Sequence, residues 1–261
     1  MRFKVILEID ATKFGNILPI SYQYELVEII NKLFQADPLA YQQWLKDNNL
    51  DIPGIKENLL YSISNLYIPK IFVDGDRLHI NVPRIQFWIS VLPEFGTEKF
   101  ISETLLGKEV VIGDQISKVA FRIGDIQIVT PVIYRPRMEF QTLSPLVVVG
   151  LRPNKTIEFL SPHNIYFGEF MVENLIERWE FLNQQPFMGD RRFSFQILQP
   201  ERRKAVTVYT NTDQQQKVVG YMMKFRLTLD PCLQELAYVL GLGDKTELGF
   251  GYIELLKKES R

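Results

Sequence analysis

Near its C-terminal end the chain reads Gly241-Leu242-Gly243-Asp244-Lys245-Thr246-Glu247-Leu248-Gly249-Phe250-Gly251, so four of its 15 glycines fall in one short stretch. We call residues 241–251 the glycine segment. It follows an apolar, helix-like pattern that ends at Leu240, and Gly241 lies where a left-handed glycine commonly ends a helix. A predicted strand begins near Phe250. The order helix, glycines, strand is the reverse of a Walker phosphate loop, which disfavours ATP binding here.

Two interpretations fit the residues of the glycine segment equally well. Glycine adopts positive φ and lets another backbone approach closely, so the segment can be a helix cap followed by a β-bulge. Alternatively, main-chain N–H groups left unpaired in the segment, together with Lys245, would face an anion. The residues alone leave both interpretations open.

Outward from the glycine segment, the hydrophobic pattern predicts two halves with the same order of elements. Residues 2–9 alternate polar with apolar side chains, as a half-buried strand does. After Ser21, a residue type that often caps a helix, apolar residues recur at helical spacing from Tyr22 to Phe34. Each half has the order strand, helix, strands, helix, strand, which is typical of a ferredoxin-like domain. We therefore predict an α+β fold of two tandem ferredoxin-like (βαββαβ) domains, residues 1–130 and 131–261.

The other predicted elements follow from turns, caps and apolar runs. In the first half they are a helix from Asp37-Pro38 through Leu45, an apolar run at 59–68, a hairpin turn at 74–76, strands at 77–82 and 84–92, a helix at 94–106, and strands at 108–112 and 116–130. In the second half they are a strand within 138–151, a helix at 164–183, strands at 192–199, 205–210 and 218–229, a helix at 231–240, and a strand at 250–256.

Composition places the chain among ordinary globular proteins. Its 261 residues are 46% hydrophobic and 23% charged, with a formal net charge of -1, which excludes disordered, collagen-like and membrane-spanning classes. The charged start of the chain does not resemble a signal peptide, so we expect a cytoplasmic protein. Cys232 is the only cysteine and there are two histidines, which argues against a disulfide, a zinc site or metal catalysis. No cofactor is indicated.

A basic cluster is predicted around the strand that follows the long helix of the second half. Arg191-Arg192 and Arg202-Arg203-Lys204 bracket residues 193–200, so we expect five cations at the ends of one hairpin. Such a cluster can contact RNA phosphates or guanine through forked hydrogen bonds. A solvated hairpin tip is the alternative.

The glycine pattern, Gly-apolar-Gly, five residues that include a lysine, then Gly-apolar-Gly, resembles the signature of the repeat-associated (RAMP) superfamily of CRISPR proteins. Within it, the chain is most similar to the sixth Cas family, the endoribonucleases that cut CRISPR precursor RNA. Four further stretches agree with that family. They are Leu18-Pro19 before Tyr22-Gln23-Tyr24, Asp37-Pro38 with Tyr41 to Leu45, Thr142-Leu143-Ser144-Pro145, and Glu173-Asn174-Leu175-Ile176.

The resemblance implies two ferredoxin-like domains, metal-independent cleavage on the 3′ side of a repeat hairpin, and transfer of the guide RNA to an interference complex. It also implies RNA binding by the glycine segment, through Gly241, Gly243, Lys245, Gly249 and Gly251. Cleavage of this kind uses the 2′-hydroxyl as nucleophile, so the protein must move protons and neutralise charge at phosphorus.

The family usually places a histidine at the end of its second short helix, and here that position holds Lys46. Some relatives carry a tyrosine on the first helix where this chain has Asn31. We predict Lys46 as a catalytic residue that stabilises charge, with Lys56 as a second candidate; the alternative for Lys46 is a helix-end lysine facing the helix dipole. His79, on a predicted strand, and His163, before a helix, are not assigned to catalysis.

Three functions remain open from the sequence. The first, which we predict, is an active endoribonuclease that cuts CRISPR repeat RNA; the other two are its alternatives. The second is a repeat-RNA binding protein that cuts weakly or not at all, and the third is a structural RAMP subunit of an interference complex. CRISPR repeat RNA is the predicted partner in the first two, no membrane is involved, and a homodimer stays an open alternative.

Overall fold

A computed structural model describes residues 1–55, 60–152, 154–210 and 212–256. The strands are β1 (Arg2–Asp10), β2 (Ile17–Pro19), β3 (Tyr61–Ile63), β4 (Ile71–Asp74), β5 (Arg77–Ile80), β6 (Arg84–Val91), β7 (Glu109–Gly113), β8 (Lys118–Ile128), β9 (Arg137–Thr142), β10 (Val149–Leu151), β11 (Ile157–Phe159), β12 (Ser194–Ile197), β13 (Arg202–Val208), β14 (Gln216–Met222), β15 (Lys224–Thr228) and β16 (Ile253–Leu255). The helices are α1 (Ala11–Phe14), α2 (Gln23–Phe34), α3 (Pro38–Asp47), α4 (Thr97–Leu105), α5 (Phe167–Asn183) and α6 (Pro231–Leu240).

The fold is α+β, as predicted, with two ferredoxin-like units. In the first half an antiparallel sheet has the strand order β3-β6-β1-β8-β7, and a small sheet, β2-β5-β4, lies beside it. In the second half the main sheet has the order β12-β15-β9-β16, with the hairpins β10-β11 and β13-β14 added. Helix α2 buries one stripe of apolar side chains in the first core, while α5 and α6 cover the second core.

Local signals in the sequence explain several element boundaries. Asp37 accepts a hydrogen bond from the Ala40 N–H at 3.1 Å and Pro38 occupies the first turn, so the predicted start of α3 is confirmed. The predicted turn between β4 and β5 is also confirmed, with Gly75 at φ 56°. Ser21 does not cap α2, however; its hydroxyl accepts a hydrogen bond from the Thr207 N–H at 3.4 Å in the other half.

The strand predicted over 218–229 is in fact two strands. The interruption is at Met223, whose N–H donates to the Thr142 hydroxyl at 2.9 Å instead of continuing a ladder. Before it, β14 pairs with β13, and after it, β15 pairs with β9 and β12. The chain thus leaves one sheet and enters another at this residue.

Arg2 joins the two halves. It lies on β1, is only 5% exposed, and its guanidinium stacks between the rings of Tyr238 and Tyr252. It also donates to the Ile253 carbonyl at 2.7 Å and to Glu254 Oε2 at 3.1 Å. A buried cation with carbonyl, carboxylate and aromatic partners fixes the first sheet against α6 and β16.

The helices are short relative to a lipid bilayer. Within the described ranges, none combines the length and apolar character that crossing a membrane requires.

Candidate nucleic-acid interface

The glycine segment is packed inside the molecule. It runs from the end of α6 towards β16 and contains a one-turn 3₁₀ helix, Thr246–Leu248. Its four glycines are buried, as are its apolar side chains. Only Asp244, Lys245 and Glu247 are partly exposed. The segment is therefore a buried connection with one polar corner at the surface.

Several main-chain N–H groups of the glycine segment, including those of two of its glycines, bond within the protein. The Gly251 N–H donates to the Pro145 carbonyl at 2.9 Å, and the Gly249 N–H donates to the Thr246 carbonyl at 3.0 Å. The Leu242 N–H donates to the Gly251 carbonyl at 2.9 Å. The expectation that unpaired N–H groups face an anion is thus wrong for Gly249 and Gly251. A contact from these two residues to RNA would have to use other atoms.

Two of the glycines are required by close backbone approaches. Gly243 has φ 78° and Gly251 has φ 74°. A Cβ atom at Gly243 would overlap the Val147 carbonyl oxygen, and one at Gly251 would overlap the Leu242 carbonyl oxygen. The interpretation as a cap with tightly packed backbone accounts for both positions.

The polar side chains around the glycine segment fix it to the second half. Asp244 accepts hydrogen bonds from the Val149 N–H at 2.7 Å and from the Asn174 amide at 3.1 Å. Arg178 donates to the Leu240 carbonyl at 2.8 Å, which ends α6. Burial raises the pKa of Asp244 and lowers the pKa of Arg178 to about 10. These groups serve the structure of the segment.

The same segment contacts the first half through α2. The Gln23 amide donates to the Gly249 carbonyl at 2.5 Å. One residue further along, the Tyr24 ring lies 4.7 Å from the Tyr209 ring at the tip of the β13-β14 hairpin, where Tyr209 has φ 54°. The glycine segment, α2 and this hairpin therefore meet at the junction of the two halves. Lys245 lies at that junction, partly exposed, with Nζ 4.0 Å from Glu247 Oε1.

Three cations on β13 are available for a ligand. Arg202, Arg203 and Lys204 are all exposed, and within the described ranges none forms an ion pair. The β13-β14 hairpin is anchored to the body through Tyr221, which exchanges two main-chain hydrogen bonds with Leu146. These three unpaired cations present positive charge to solvent at the base of the hairpin, while its other end reaches the first half at Ser21 and Tyr24.

The two arginines before β12 differ from those on β13. The prediction that all five cations lie at the ends of one hairpin is wrong, because β12 pairs with β15 whereas β13 pairs with β14. Arg191 forms an ion pair with Glu180 at 3.1 Å, and Arg192 forms one with Asp190 at 2.8 Å. That pairing holds the pKa of Asp190 at about 2. Acidic neighbours therefore offset these two charges.

Of the two predicted catalytic lysines, the described structure includes only Lys46. Lys46 lies in the last turn of α3 and its side chain is exposed. Asn31, at the position where some relatives have a tyrosine, accepts a hydrogen bond from the Tyr61 hydroxyl at 2.7 Å. Lys56 lies outside the described residues. A contribution of Lys46 as an accessible positive charge fits its position better than proton transfer from a desolvated site.

Within the described ranges, no contact joins either histidine to Lys46. His79 on β5 packs its ring against Phe72, and His163 has Nε2 3.0 Å from Glu201 Oε1. Within the described ranges, no three His, Cys, Asp or Glu side chains are arranged to hold a metal ion.

Three residues that shape this region lie in the family-like stretches of the sequence, but the sequence assigned them no role. Ser144 accepts a hydrogen bond from the Tyr252 N–H at 2.9 Å, and Asn174 and Gln23 bond to the glycine segment as described above. They could be noticed in the sequence only because they lie in short stretches that resemble one protein family. That signal identifies positions, but only the fold shows that the positions meet.

Comparison with known proteins finds similar sequences over part or nearly all of the chain. Residues 129–255 match the model of the family "CRISPR associated protein Cas6, C-terminal". The chain is 26% identical to a "Putative CRISPR-associated endoribonuclease-like protein Cas6nc" of Pyrococcus horikoshii, covering 97% of this chain and 100% of the relative. It is 23% identical to a "CRISPR-associated endoribonuclease Cas6 1" of Methanocaldococcus jannaschii, covering 96% of this chain and 91% of the relative.

Solved structures share the fold over almost the whole chain. One described as "Characterization of a Cas6-related gene from Pyrococcus furiosus" is similar with a TM-score of 0.79 at 22% identity and covers 99% of both chains. Another, "An RAMP protein binding different RNA substrates", has a TM-score of 0.79 at 24% identity, with 98% of this chain and 100% of that chain covered. The chain therefore has the same fold as these solved structures. Residues 129–255 carry the match to the C-terminal part of Cas6 proteins, and over almost its whole length the chain is similar to proteins named as Cas6-type CRISPR endoribonucleases.

Proposed function

We propose that this protein binds CRISPR repeat RNA and cleaves the precursor within its repeats without a metal ion, which generates guide RNAs. The proposal includes two domains, residues 1–130 and 131–261, with RNA lying across their junction. The observation that carries it is the set of exposed, unpaired cations Arg202, Arg203 and Lys204 on a hairpin whose other end reaches that junction. The curated relatives named as CRISPR-associated endoribonucleases give the substrate class.

The proposed chemistry follows from RNA itself. The 2′-oxygen attacks the adjacent phosphorus, the bond from phosphorus to the 5′-oxygen breaks, and the products are a 2′,3′-cyclic phosphate and a 5′-hydroxyl. The proton lost by the 2′-hydroxyl goes to a base, and the leaving 5′-oxygen takes up a proton. Negative charge grows on the phosphoryl oxygens in the transition state, and a lysine such as Lys46 or Lys56 stabilises it.

Lys245 and the β13 cations have a different role from the lysines near the scissile phosphate. They contact phosphates along the strand and fix its register, which supplies affinity without taking part in the reaction. Arg191 and Arg192 already have acidic partners, so they contribute less to binding. The buried glycines hold the junction together, and RNA contacts there use Lys245.

A cleavage assay in EDTA tests the proposal. End-labelled cognate repeat RNA incubated with the purified protein is expected to give one discrete cut, whose upstream product carries a cyclic phosphate. RNA with a single 2′-deoxy nucleotide at the cut position is the matched control, and it must stay intact because the nucleophile is missing. Equal cleavage of both substrates, or cleavage that needs added Mg²⁺, would contradict the proposal.

Substitution of Lys46 tests whether its positive charge contributes to cleavage. We expect Lys46→Ala to lower the single-turnover cleavage rate by about 10²-fold, the usual loss when one stabilising group is removed from a transition state. Lys46→Arg keeps the charge and is expected to retain most of the rate, while both variants bind RNA as the parent does. Lys32→Ala, on α2, is the control for the loss of one surface lysine. A Lys46→Ala variant that cuts at the parent rate would remove this residue from the active site.

A second candidate function is binding of repeat RNA with little or no cleavage. Two positions indicated by the family resemblance favour it: Asn31, where some relatives carry a tyrosine, is already bonded to Tyr61, and Lys46 lies where the family usually has a histidine. Tight binding of the repeat in the assay above, with no product under single-turnover conditions, would establish this function instead.

A further inference from the structure

The outer edge of the small sheet in the first half carries an unusual strand. β4 is the last strand of the order β2-β5-β4. Its apolar side chains are well exposed: Ile71 is 42%, Phe72 is 59% and Val73 is 53% exposed. An apolar edge strand of this kind is a template for pairing with another strand.

The register of the hairpin shows which main-chain groups face outward. Phe72 lies opposite His79 and Asp74 lies opposite Arg77, next to the two-residue turn. The Lys70 carbonyl accepts a hydrogen bond from the Asn81 N–H at 3.1 Å. Because hydrogen-bonded pairs alternate along an antiparallel ladder, residues 70, 72 and 74 bond to β5, and Ile71 and Val73 point their N–H and C=O groups away from it.

The outward groups have no partner in the described part of the chain. No hydrogen bond there involves the N–H or C=O of Ile71 or Val73, and no strand pairs with β4 on that side. The side chains of these two residues lie on the same face as buried Leu78 and Ile80 on β5. The apolar face of the small sheet therefore continues past the core and ends at an open edge.

We propose that two copies of this protein associate through β4, as an antiparallel pair with its two-fold axis at Phe72. In this register Ile71 of each copy lies opposite Val73 of the other. The outward N–H and C=O groups of both residues then form four main-chain hydrogen bonds between the copies. The two small sheets become one continuous six-stranded sheet, and the exposed apolar side chains of β4 cover each other.

The charges at the ends of β4 fit this register. Lys70 and Asp74 flank the three apolar residues, so antiparallel pairing about Phe72 brings Lys70 of each copy opposite Asp74 of the other. Opposite charges directly across a pair of strands stabilise it, whereas like charges destabilise it. Edges protected against pairing carry charges that repel in the paired register. Here a single register pairs the outward main-chain groups, covers the apolar side chains and places opposite charges across from each other. A second copy of this chain is therefore the partner that fits the edge.

The association is expected to be reversible and concentration-dependent, because a strand of four residues gives a small interface. Sedimentation velocity over a series from micromolar to several hundred micromolar protein measures it. Val73→Pro removes one outward N–H from each copy and leaves the β4-β5 bonds intact. It is expected to raise the dimer dissociation constant by about tenfold or more, since two hydrogen bonds are lost.

Charge reversal distinguishes pairing in this register from non-specific hydrophobic association. Lys70→Asp alone, or Asp74→Lys alone, places like charges opposite each other at both ends and is expected to favour the monomer. The double variant with both reversals is expected to restore the dimer. Lys99→Asp, a reversal on the surface of α4, is the matched control and leaves the association unchanged. A parent protein that stays monomeric over the whole series, or a double variant no better than the single ones, would overturn the proposal.

A cross-link provides a second readout. In a Cys232→Ser background, Phe72→Cys places two thiols across the two-fold axis at a non-hydrogen-bonded pair, within reach of a disulfide. Mild oxidation is expected to give a covalent dimer. Val73→Cys is the control, because its partner residue in this register is Ile71. Equal cross-linking of both variants would contradict the register. RNA binding and cleavage are measured separately, so the outcome is independent of the proposed function.

Discussion

Replacing Gly251 by alanine is expected to lower the free energy of unfolding by about 3 kcal/mol or more. Gly251 has φ 74°, and its missing side chain leaves room for the Leu242 carbonyl. A methyl group there would overlap that oxygen, so the hydrogen bonds of Gly251 with Leu242 and Pro145 must lengthen. Because these bonds tie the glycine segment to the second half, the loss affects the core around them. Urea unfolding followed by circular dichroism measures it.

Gly107→Ala is the matched control for this experiment. Gly107 has φ 76°, almost the angle of Gly251, but a Cβ atom there meets nothing within 4 Å. It therefore reports the cost of the left-handed backbone alone, about 1 kcal/mol. Equal losses in the two variants would show that the close approach of Leu242 contributes nothing, and the structural account of the glycine segment would fail.

The sequence predicted elements well where the signal is local. The bounds of α6 agree with the predicted helix at 231–240, and the start of α3 and the turn before β5 were also predicted from residues within one turn of the chain. Asp, Pro and Gly act on the backbone next to them, so their effect does not depend on the rest of the fold. The ferredoxin-like order of each half followed from these elements.

The errors concern partners that are distant in sequence. The pattern over 218–229 is uniformly strand-like, and nothing in it shows that Met223 turns to Thr142 and divides the strand. Likewise, Arg191-Arg192 and Arg202 to Lys204 flank one stretch of sequence but belong to different sheets, and two of them have acidic partners. Pairing between sheets is set by tertiary packing, which a single sequence does not encode locally.

The candidate site was predicted in part. Short stretches at Gln23, Ser144 and Asn174 were recognised as family-like, and in the structure all three bond to the glycine segment or to the residue after it. The family resemblance assigned the glycines to RNA binding, and the residues alone allowed this because N–H groups can be free in a glycine-rich stretch. Whether a particular N–H is free depends on which carbonyl lies opposite. For Gly251 this is Pro145, more than a hundred residues away in the chain.

Simultaneous replacement of Arg202, Arg203 and Lys204 by alanine is expected to weaken binding of repeat RNA by about 100-fold at low salt. The three side chains are exposed and have no acidic partner in the described ranges, so their charge is not offset before RNA arrives. Losing three phosphate contacts also reduces the slope of log affinity against log salt by about 2. Fluorescence anisotropy over a salt series measures both quantities.

The control for that variant removes the same charge from another surface. Lys99, Lys108 and Arg122 are exposed in the first half, and their triple alanine variant changes the net charge equally. If both triple variants weaken RNA binding by the same factor, the effect comes from overall charge and the β13 cations do not form an RNA-binding site. If only the β13 variant loses affinity and salt slope, RNA contacts the hairpin directly. Tyr221 of β14 holds this hairpin to the second half, and Thr207 of β13 bonds to Ser21 just before α2, so RNA on the hairpin would then lie on an element that bridges the two halves.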